Sequence, residues 1–364
     1  MHHREHTVAV HAPADAVYGL VADATRWPLI FGPTVYVQSS EHAAPADGTG
    51  LEQRFRIWAQ VSERVMGWTS SRSLDHRGLR ISFRQEQAQP PVARMSGQWR
   101  FEPLGHDTTR VVLLHEYAAV DDDSASPGGR GSSRGETPGE ARPDMPSSAS
   151  PGGRPPSDHV RWIDAALDRN STAELGAVKA WAERGHRIED LVSSFEDRMA
   201  VRGPAAQVYA FLHRADLWPR RLPHVDRLDL TSGGQLDGPG RGVDVQFMEM
   251  DTRDPAGRTH TTTSTRLCFP DRLIVYKQTT VPELLLAHCG EWALTAGPGG
   301  TDVVARHTVA LDPGAVARVL GPGTALTQAR EHVRQVLGAN SRSTLAQARD
   351  FVESAEPIPA PPSR

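Results

Sequence analysis

EHTVAVHAPADAVYGLVADATRWP, from Glu5 to Pro28, aligns without a gap to EDRMAVRGPAAQVYAFLHRADLWP, from Glu196 to Pro219. Pro13 matches Pro204, Tyr18 matches Tyr209 and Trp27 matches Trp218, always 191 positions apart. Chance similarity does not hold one separation over such a stretch, so the chain is an internal duplication. Further on, Ser70 and Arg72 match Ser264 and Arg266, Trp99 matches Trp292, His115 matches His307, and Asn170 matches Asn340. At 364 residues the chain has the length of two ordinary domains.

Each copy opens on a short alternating segment followed by a proline, Pro13 or Pro204, where a fixed φ and a missing N–H suit the start of a helix. Alternation then recurs at Phe55, Ile57 and Ala59, at Met66, Trp68 and Leu74, at Leu79, Ile81 and Phe83, at Gly97, Trp99 and Phe101, and at Val111, Leu113 and Tyr117. Period two predicts antiparallel strands with one buried face. Val160, Ile163, Leu167, Asn170, Ala177 and Trp181 recur at threes and fours, which predicts a long closing helix with an apolar stripe. The expected fold is α+β: two tandem domains, each a curved antiparallel sheet gripping a long C-terminal helix around a cavity.

The first copy is expected over residues 1–187 and the second over 188–355, with a loose tail at 356–364. The first carries an extra segment, about 121–157, rich in Ser, Pro, Gly and Arg, with SASPGGR at both Ser124 and Ser148. So few apolar side chains cannot offset the entropy of ordering, which predicts a disordered insertion.

Forty Lys and Arg against 44 Asp and Glu leave a net charge of -4, which disfavours nucleic acid and acidic lipid as partners. No apolar run nears the roughly 20 residues of a membrane helix. Cys268 and Cys289 form neither a CxxC pair nor a disulfide framework, and no signal leader opens the chain, so a reducing cytoplasm is the expected location. There is no HExxH, cysteine cluster, GxSxG elbow, phosphate loop or GxGxxG, so no metal and no cofactor is expected.

In RVMGWTSSRSL the side chains of Met66, Trp68, Ser70, Arg72 and Leu74 share one face of a strand. The second copy sets Thr262, Ser264 and Arg266 on the equivalent face, with Thr262 at the Trp68 position. A guanidinium on such a face is costly unless its donors are satisfied, by a ligand carbonyl or enolate or by a structural carboxylate such as Glu116, or unless it lies on an edge strand and faces solvent. Asn170 and Asn340 interrupt apolar helix stripes and either point into the cavity or bond locally. His115 and His307 are proton relays or hydrogen-bonded core histidines. Trp27, Trp99, Trp218 and Trp292 either stack on a planar ligand or pack the core.

The paired openings, the WTSSR and TTSTR strands and the DRNSTAEL and GANSRSTL helix segments resemble the didomain aromatase/cyclases of bacterial type II polyketide synthases. The resemblance covers nearly the whole chain outside the insertion and tail. It implies tandem helix-grip domains of the START superfamily and a first-ring aldol cyclisation and dehydration of a poly-β-keto chain. That chain would be already ketoreduced and held on the phosphopantetheine of an acyl carrier protein, with other synthase components as partners. By resemblance Arg72, Ser70, Arg266 and Ser264 are the catalytic positions. Trp27, Trp68 and Asn170 match other pocket positions of that family, and Trp99, His115, Trp218, Trp292, His307 and Asn340, from their recurrence, are expected to bind substrate with them. Single-domain relatives carry a pocket tyrosine where this sequence has Thr34, with Tyr36 nearby, so the resemblance assigns no tyrosine acid. The alternative reading is a START-like carrier of a lipid or aromatic polyketide without chemistry.

Overall fold

The computed structural model of the chain describes residues 1–43, 50–61, 64–86, 88, 90–120, 157–236, 242–253, 257 and 259–354. The expected insertion lies outside the described residues except for its last position, Ser157, and so does the tail.

The first copy runs β1 (His2–Val10), α1 (Ala14–Ala22), a short 3-10 turn, α2 (Trp27–Ile30), β2 (Thr34–Ala43), β3 (Leu51–Val61), β4 (Arg64–Asp75), β5 (Arg80–Gln85), β6 (Val92–Pro103), β7 (Thr109–Ala119) and α3 (Asp158–Ala182). After α4 (Ile188–Leu191) the second repeats this as β8 (Val192–Val201), α5 (Ala205–His213), α6 (Trp218–Arg221), β9 (Val225–Leu236), β10 (Val243–Arg253), β11 (Thr259–Phe269), β12 (Leu273–Thr280), β13 (Leu285–Gly297) and β14 (Gly300–Leu311). It ends with α7 (Pro313–Leu320) and α8 (Leu326–Ser354). Each copy is one seven-stranded antiparallel sheet, β1-β7-β6-β5-β4-β3-β2 and β8-β14-β13-β12-β11-β10-β9. The repeat in sequence is thus a repeat in topology, and each sheet is gripped by its long last helix.

The strands follow the alternation of the sequence with one exception. Leu79, expected in a strand, sits in the turn before β5 with φ 47, a left-handed conformation that ends the pairing there. On α3, Val160, Ile163, Leu167 and Trp181 are buried as the stripe requires, and Ser157 caps the helix by accepting from the Val160 N–H at 3.2 Å. Val111 and Leu113 on β7 are fully buried, since β7 lies inside the sheet beneath the helix.

Glycine recurs where the two sheets need it. A Cβ on Gly97 would meet the Phe83 ring at 2.4 Å, and one on Gly290 would meet the Tyr276 ring at 2.3 Å. Only glycine lets an aromatic of the neighbouring strand lie flat over the sheet toward the cavity at these equivalent points.

The copies are joined by a second core. Val35, Trp58 and Val65 of the first pack with Val243, Val245, Leu267, Phe269 and Val275 of the second. Tyr36 stacks on Trp58 with ring centroids 5.5 Å apart, so it belongs to this seam and not to a cavity. Beside it the buried Lys277 ammonium on β12 donates to three backbone carbonyls of the first copy: Phe31 at 2.6 Å, Gly32 at 2.7 Å and Thr34 at 2.9 Å. One of only two lysines in the chain therefore pins the end of α2 to the second sheet.

Candidate functional site

Each sheet and its long helix enclose a cavity, about 230 Å³ in the first copy and about 140 Å³ in the second. The alternation that puts Trp68, Ser70, Trp99 and His115 on one face brings them together in the first cavity, with Trp27 from α2, Asn170 from α3 and Thr34. Trp218, Thr262, Ser264, Trp292, His307 and Asn340 line the second together with Arg266. Asn170 and the exposed indole of Trp162 stand at the solvent-accessible side of the first cavity.

The two arginines are placed differently, although both are buried and both reach the C-terminal end of the first helix of their copy. There the last carbonyls of a helix lack internal partners and carry partial negative charge, which suits a cation. Arg72 donates through Nη1 to the Val21 carbonyl at 3.0 Å, through Nη2 to the Ala22 carbonyl, and through Nε to Gln53 Oε1 at 2.7 Å. Its guanidinium lies 5.2 Å from the ring centres of both Trp27 and Phe55, rings that line the cavity while Arg72 does not. Burial lowers its pKa to about 10, with Asp23 acting the other way, so it remains a cation at neutral pH.

Arg266 donates through Nη2 to the equivalent carbonyl, Leu212, at 2.8 Å and stacks on Trp218 at 5.2 Å. Its Nη1 is buried with no hydrogen-bond partner, and the side chain lines the cavity. The difference originates one residue beyond the helix carbonyl. Where the first copy has Ala22, the second has His213, whose Nε2 lies 2.7 Å from Asp244 Oδ2 and 3.1 Å from Gln246 Nε2. Gln246 is the register partner of Arg266, as Gln53 is of Arg72. Drawn to His213 and Asp244, Gln246 donates through Nε2 to the His213 carbonyl at 3.4 Å, the counterpart of the Ala22 carbonyl that the first copy's arginine reaches, and the second guanidinium is left with an unoccupied donor.

The serines differ as well. Ser70 donates to the Arg84 carbonyl at 2.9 Å while lining the first cavity. Ser264 lines the second and is buried. Trp27 donates from its indole N–H to the Val21 carbonyl at 3.0 Å, whereas the Trp218 indole N–H is buried without a partner.

Both histidines are held neutral. Burial lowers His115 to about 4, helped by His6. Burial likewise lowers His307 to about 4, against the pull of Asp197. His115 Nδ1 and His307 Nε2 are buried without partners, while His307 Nδ1 lies 3.0 Å from His288 Nε2 and 3.1 Å from the Tyr276 hydroxyl. Between about pH 4 and 6.5 the unfolded chain binds protons at these two sites that the folded chain refuses, so stability falls as pH drops through that window. The expected loss is about 3 kcal/mol per histidine when complete. Acid titration of Tm checks this: a flat profile, or one that His307→Asn leaves unaltered, contradicts it.

Several cavity residues escape a reading by repeats. His288 and Tyr276 occupy positions where the first copy has Met95 and Phe83, so no matching pair exposes them. Ser171 and Glu174 in the first cavity follow Asn170 by one and four positions. Extending the Ile163, Leu167, Asn170 stripe by another turn would have found Glu174.

Among the described residues one cluster has metal-ligand chemistry: His213, Asp244 and Cys268 place their ligand atoms within 4.8 Å of one another. The Cys268 thiol donates toward Gln246 Oε1 at 3.7 Å, and burial pushes its pKa up to about 11, which disfavours the thiolate a metal requires. His213 and Asp244 already serve to orient Gln246. Both cysteines are free thiols, and among the described residues no helix is long and apolar enough to cross a membrane.

Comparisons with known proteins follow the same two-part layout. Residues 10–124 match a family described as polyketide cyclase / dehydrase and lipid transport, and residues 193–350 match a second family of the same description. The chain is 46% identical over 349 residues to the actinorhodin polyketide synthase bifunctional cyclase/dehydratase of Streptomyces coelicolor, covering 95% of this chain and 96% of that one. It is 40% identical to the granaticin polyketide synthase bifunctional cyclase/dehydratase of Streptomyces violaceoruber, over 98% of this chain and 95% of the relative. Among solved structures it is similar to the di-domain ARO/CYC BexL from the BE-7585A biosynthetic pathway, at TM-score 0.69 and 40% identity, over 98% of this chain and all of that one. The di-domain ARO/CYC StfQ from the steffimycin pathway aligns at TM-score 0.68 and 32% identity, over 96% and 98%. With one family segment over each cavity and identity sustained along nearly its whole length, this chain belongs to the polyketide cyclase/dehydrase family as a two-domain member.

Proposed function

We propose that the protein is a polyketide aromatase/cyclase: it bends a poly-β-keto chain, closes its first ring by an intramolecular aldol reaction and removes water to give an aromatic ring. The observation that carries the reading is the buried Arg266 guanidinium with its unoccupied Nη1 in an apolar cavity. A carrier of lipid needs only apolar walls, whereas an uncommitted cationic donor suits a carbonyl whose oxygen becomes an alkoxide or enolate. Such a preorganised donor contributes about 3–4 kcal/mol to the transition state. Holding the methylene against the carbonyl contributes about 7–11 kcal/mol more.

In this reading Arg266 binds the electrophilic carbonyl, and Ser264 positions it or a water molecule. His307, neutral at pH 7 with an unpartnered Nε2, holds a water molecule against the acidic methylene between two carbonyls, and the proton leaves through that water. In the first copy Ser70, Trp68, Trp99, His115 and Asn170 contact the chain, and Arg72 holds α1 and the Trp27 and Phe55 rings in place. The substrate is a ketoreduced chain delivered on the phosphopantetheine of an acyl carrier protein, and the protein works beside the other components of a type II synthase. The test is the product profile of a reconstituted ketosynthase, carrier protein and ketoreductase with and without this protein. Aromatised first-ring product that depends on its addition is expected, and an identical profile in both arms rejects the reading.

A further inference from the structure

A row of register partners crosses each sheet at the same level. In the first copy Arg72 pairs with Phe83, Phe83 with Gly97 and Gly97 with His115; in the second Arg266 pairs with Tyr276, Tyr276 with Gly290 and Gly290 with His307. Two residues before the glycine, on the same face of the strand, the first copy has Met95 and the second His288. The second cavity therefore holds a phenol and an imidazole where the first holds apolar side chains, and both border His307. Polar groups buried in this way destabilise a fold unless their hydrogen bonds are made.

The bonds made here fix where the protons sit. Burial keeps His288 and His307 neutral at pH 7, with His307 adding to the effect on His288. A neutral imidazole has one N–H. His288 Nδ1 lies 2.9 Å from Gln278 Oε1, an atom that only accepts, so the His288 proton is on Nδ1 and its Nε2 is bare. That bare Nε2 lies 3.0 Å from His307 Nδ1, which therefore carries the His307 proton. The Tyr276 hydroxyl oxygen, 3.1 Å from the same Nδ1, accepts a share of it. What is left is His307 Nε2, buried without a partner in a residue that lines the cavity. In the first copy the equivalent glutamine, Gln85, donates through Nε2 to the Met95 sulfur at 3.5 Å, and His115 Nδ1 has no partner, so no such chain reaches His115.

We propose that Gln278 and His288 are positioning residues that lock His307 in the Nδ1–H tautomer, so that the second cavity presents a bare imidazole nitrogen to a water molecule. The proposal rests on the reading above, in which His307 holds a water against the methylene, and it names the residues that make this possible. The lone pair on Nε2 accepts one O–H of that water and leaves the water's own lone pairs facing the methylene. An N–H in the same place would donate to the water oxygen and turn its hydrogens toward the methylene instead. Which nitrogen of a histidine is bare depends on the bond that the other one makes, and here that bond is made by His288 under the direction of Gln278.

The test uses the full chain with isotope-labelled histidine. Long-range proton–nitrogen NMR shows which nitrogen of each neutral imidazole carries hydrogen, and the His307→Asn variant identifies the His307 signals. The wild type is expected to show His307 protonated on Nδ1. His288→Met, which puts into the second copy the residue of the first, and Gln278→Leu are each expected to shift the proton to Nε2. Both should also lower aromatised product in the reconstituted synthase by roughly 10²-fold, the usual contribution of a placed acid–base group. Tyr276→Phe is expected to leave the tautomer in place, since the phenol only shares the proton. A wild-type His307 protonated on Nε2 overturns the proposal. So does a tautomer that neither His288→Met nor Gln278→Leu alters, or one that changes while the product yield stays at the wild-type level. Should Gln278→Leu not fold, the wild-type spectrum and His288→Met decide alone. The spectra need no synthase and so stand apart from failure of the functional reading, in which the wild-type protein itself leaves the synthase products unchanged.

Discussion

Arg266→Met is expected to reduce aromatised product by about 10²- to 10³-fold, the effect of deleting one preorganised donor at a developing oxyanion. The side chain is replaced by one of similar reach that keeps the stacking surface against Trp218, so the loss is concentrated in the guanidinium. Folding loses the hydrogen bond to the Leu212 carbonyl, a contribution of about 1 kcal/mol or somewhat more because the donor is charged. Arg266→Lys keeps a cation without the planar fork and should fall between the two. Arg72→Met is the informative control. Its donors already serve Val21, Ala22 and Gln53, so its removal should cost stability more than it costs turnover. Product yield and Tm measured side by side on these variants decide the matter. Equal loss of product from both arginines at unchanged Tm would defeat the distinction drawn between them.

Lys277→Met should produce the largest loss of stability. The ammonium answers three carbonyls at 2.6 to 2.9 Å, and methionine removes this donor from all three, leaving the Phe31 carbonyl only the Thr34 N–H at 3.2 Å, while filling nearly the same volume. Each buried carbonyl that loses its donor costs about 1–3 kcal/mol, and more than one is affected. Because the contact joins the two copies, the loss should weaken their docking before either sheet unfolds. Calorimetry is expected to show the single wild-type transition broadening or splitting into two as the seam of Val35, Trp58, Leu267 and Phe269 opens. A variant with wild-type Tm and cooperativity would remove Lys277 as the fastener. The docking matters for chemistry as well, since Phe31 and Thr34, whose carbonyls Lys277 holds, line the first cavity, and the neighbouring Gln278 lines the second.

The duplication, most of the strands with the closing helix, and the identity of most cavity positions are legible in the primary structure, whereas β2 and the order of the strands within the sheet come from the fold. A strand has period two and a helix period 3.6, so a polar residue in an otherwise apolar register can be assigned to a face before any coordinates exist. That logic selects Ser70, Trp68, Trp99, His115 and Asn170, and by repetition Ser264, Trp292, His307 and Asn340, all of which line a cavity. It misses Leu79, because one residue of left-handed backbone breaks a strand without altering the apolar pattern. Comparing copies also passes over residues that only one copy has, which is how Glu174, His288 and Lys277 go unremarked.

What periodicity cannot assign is the state of a donor. Arg72 and Arg266 are equivalent in sequence, in register and in burial, yet one has each guanidinium nitrogen engaged and the other keeps Nη1 open to its cavity. The deciding residues, Ala22 against His213, lie more than thirty positions from the glutamines they influence, Gln53 and Gln246. A hydrogen-bonding group takes whichever partner packing brings within about 3 Å, and that competition exists only once the helix end and the sheet have met. The order of residues along the chain therefore determined two cavities and their walls, while the folded contacts alone decided which cavity holds a guanidinium free to act.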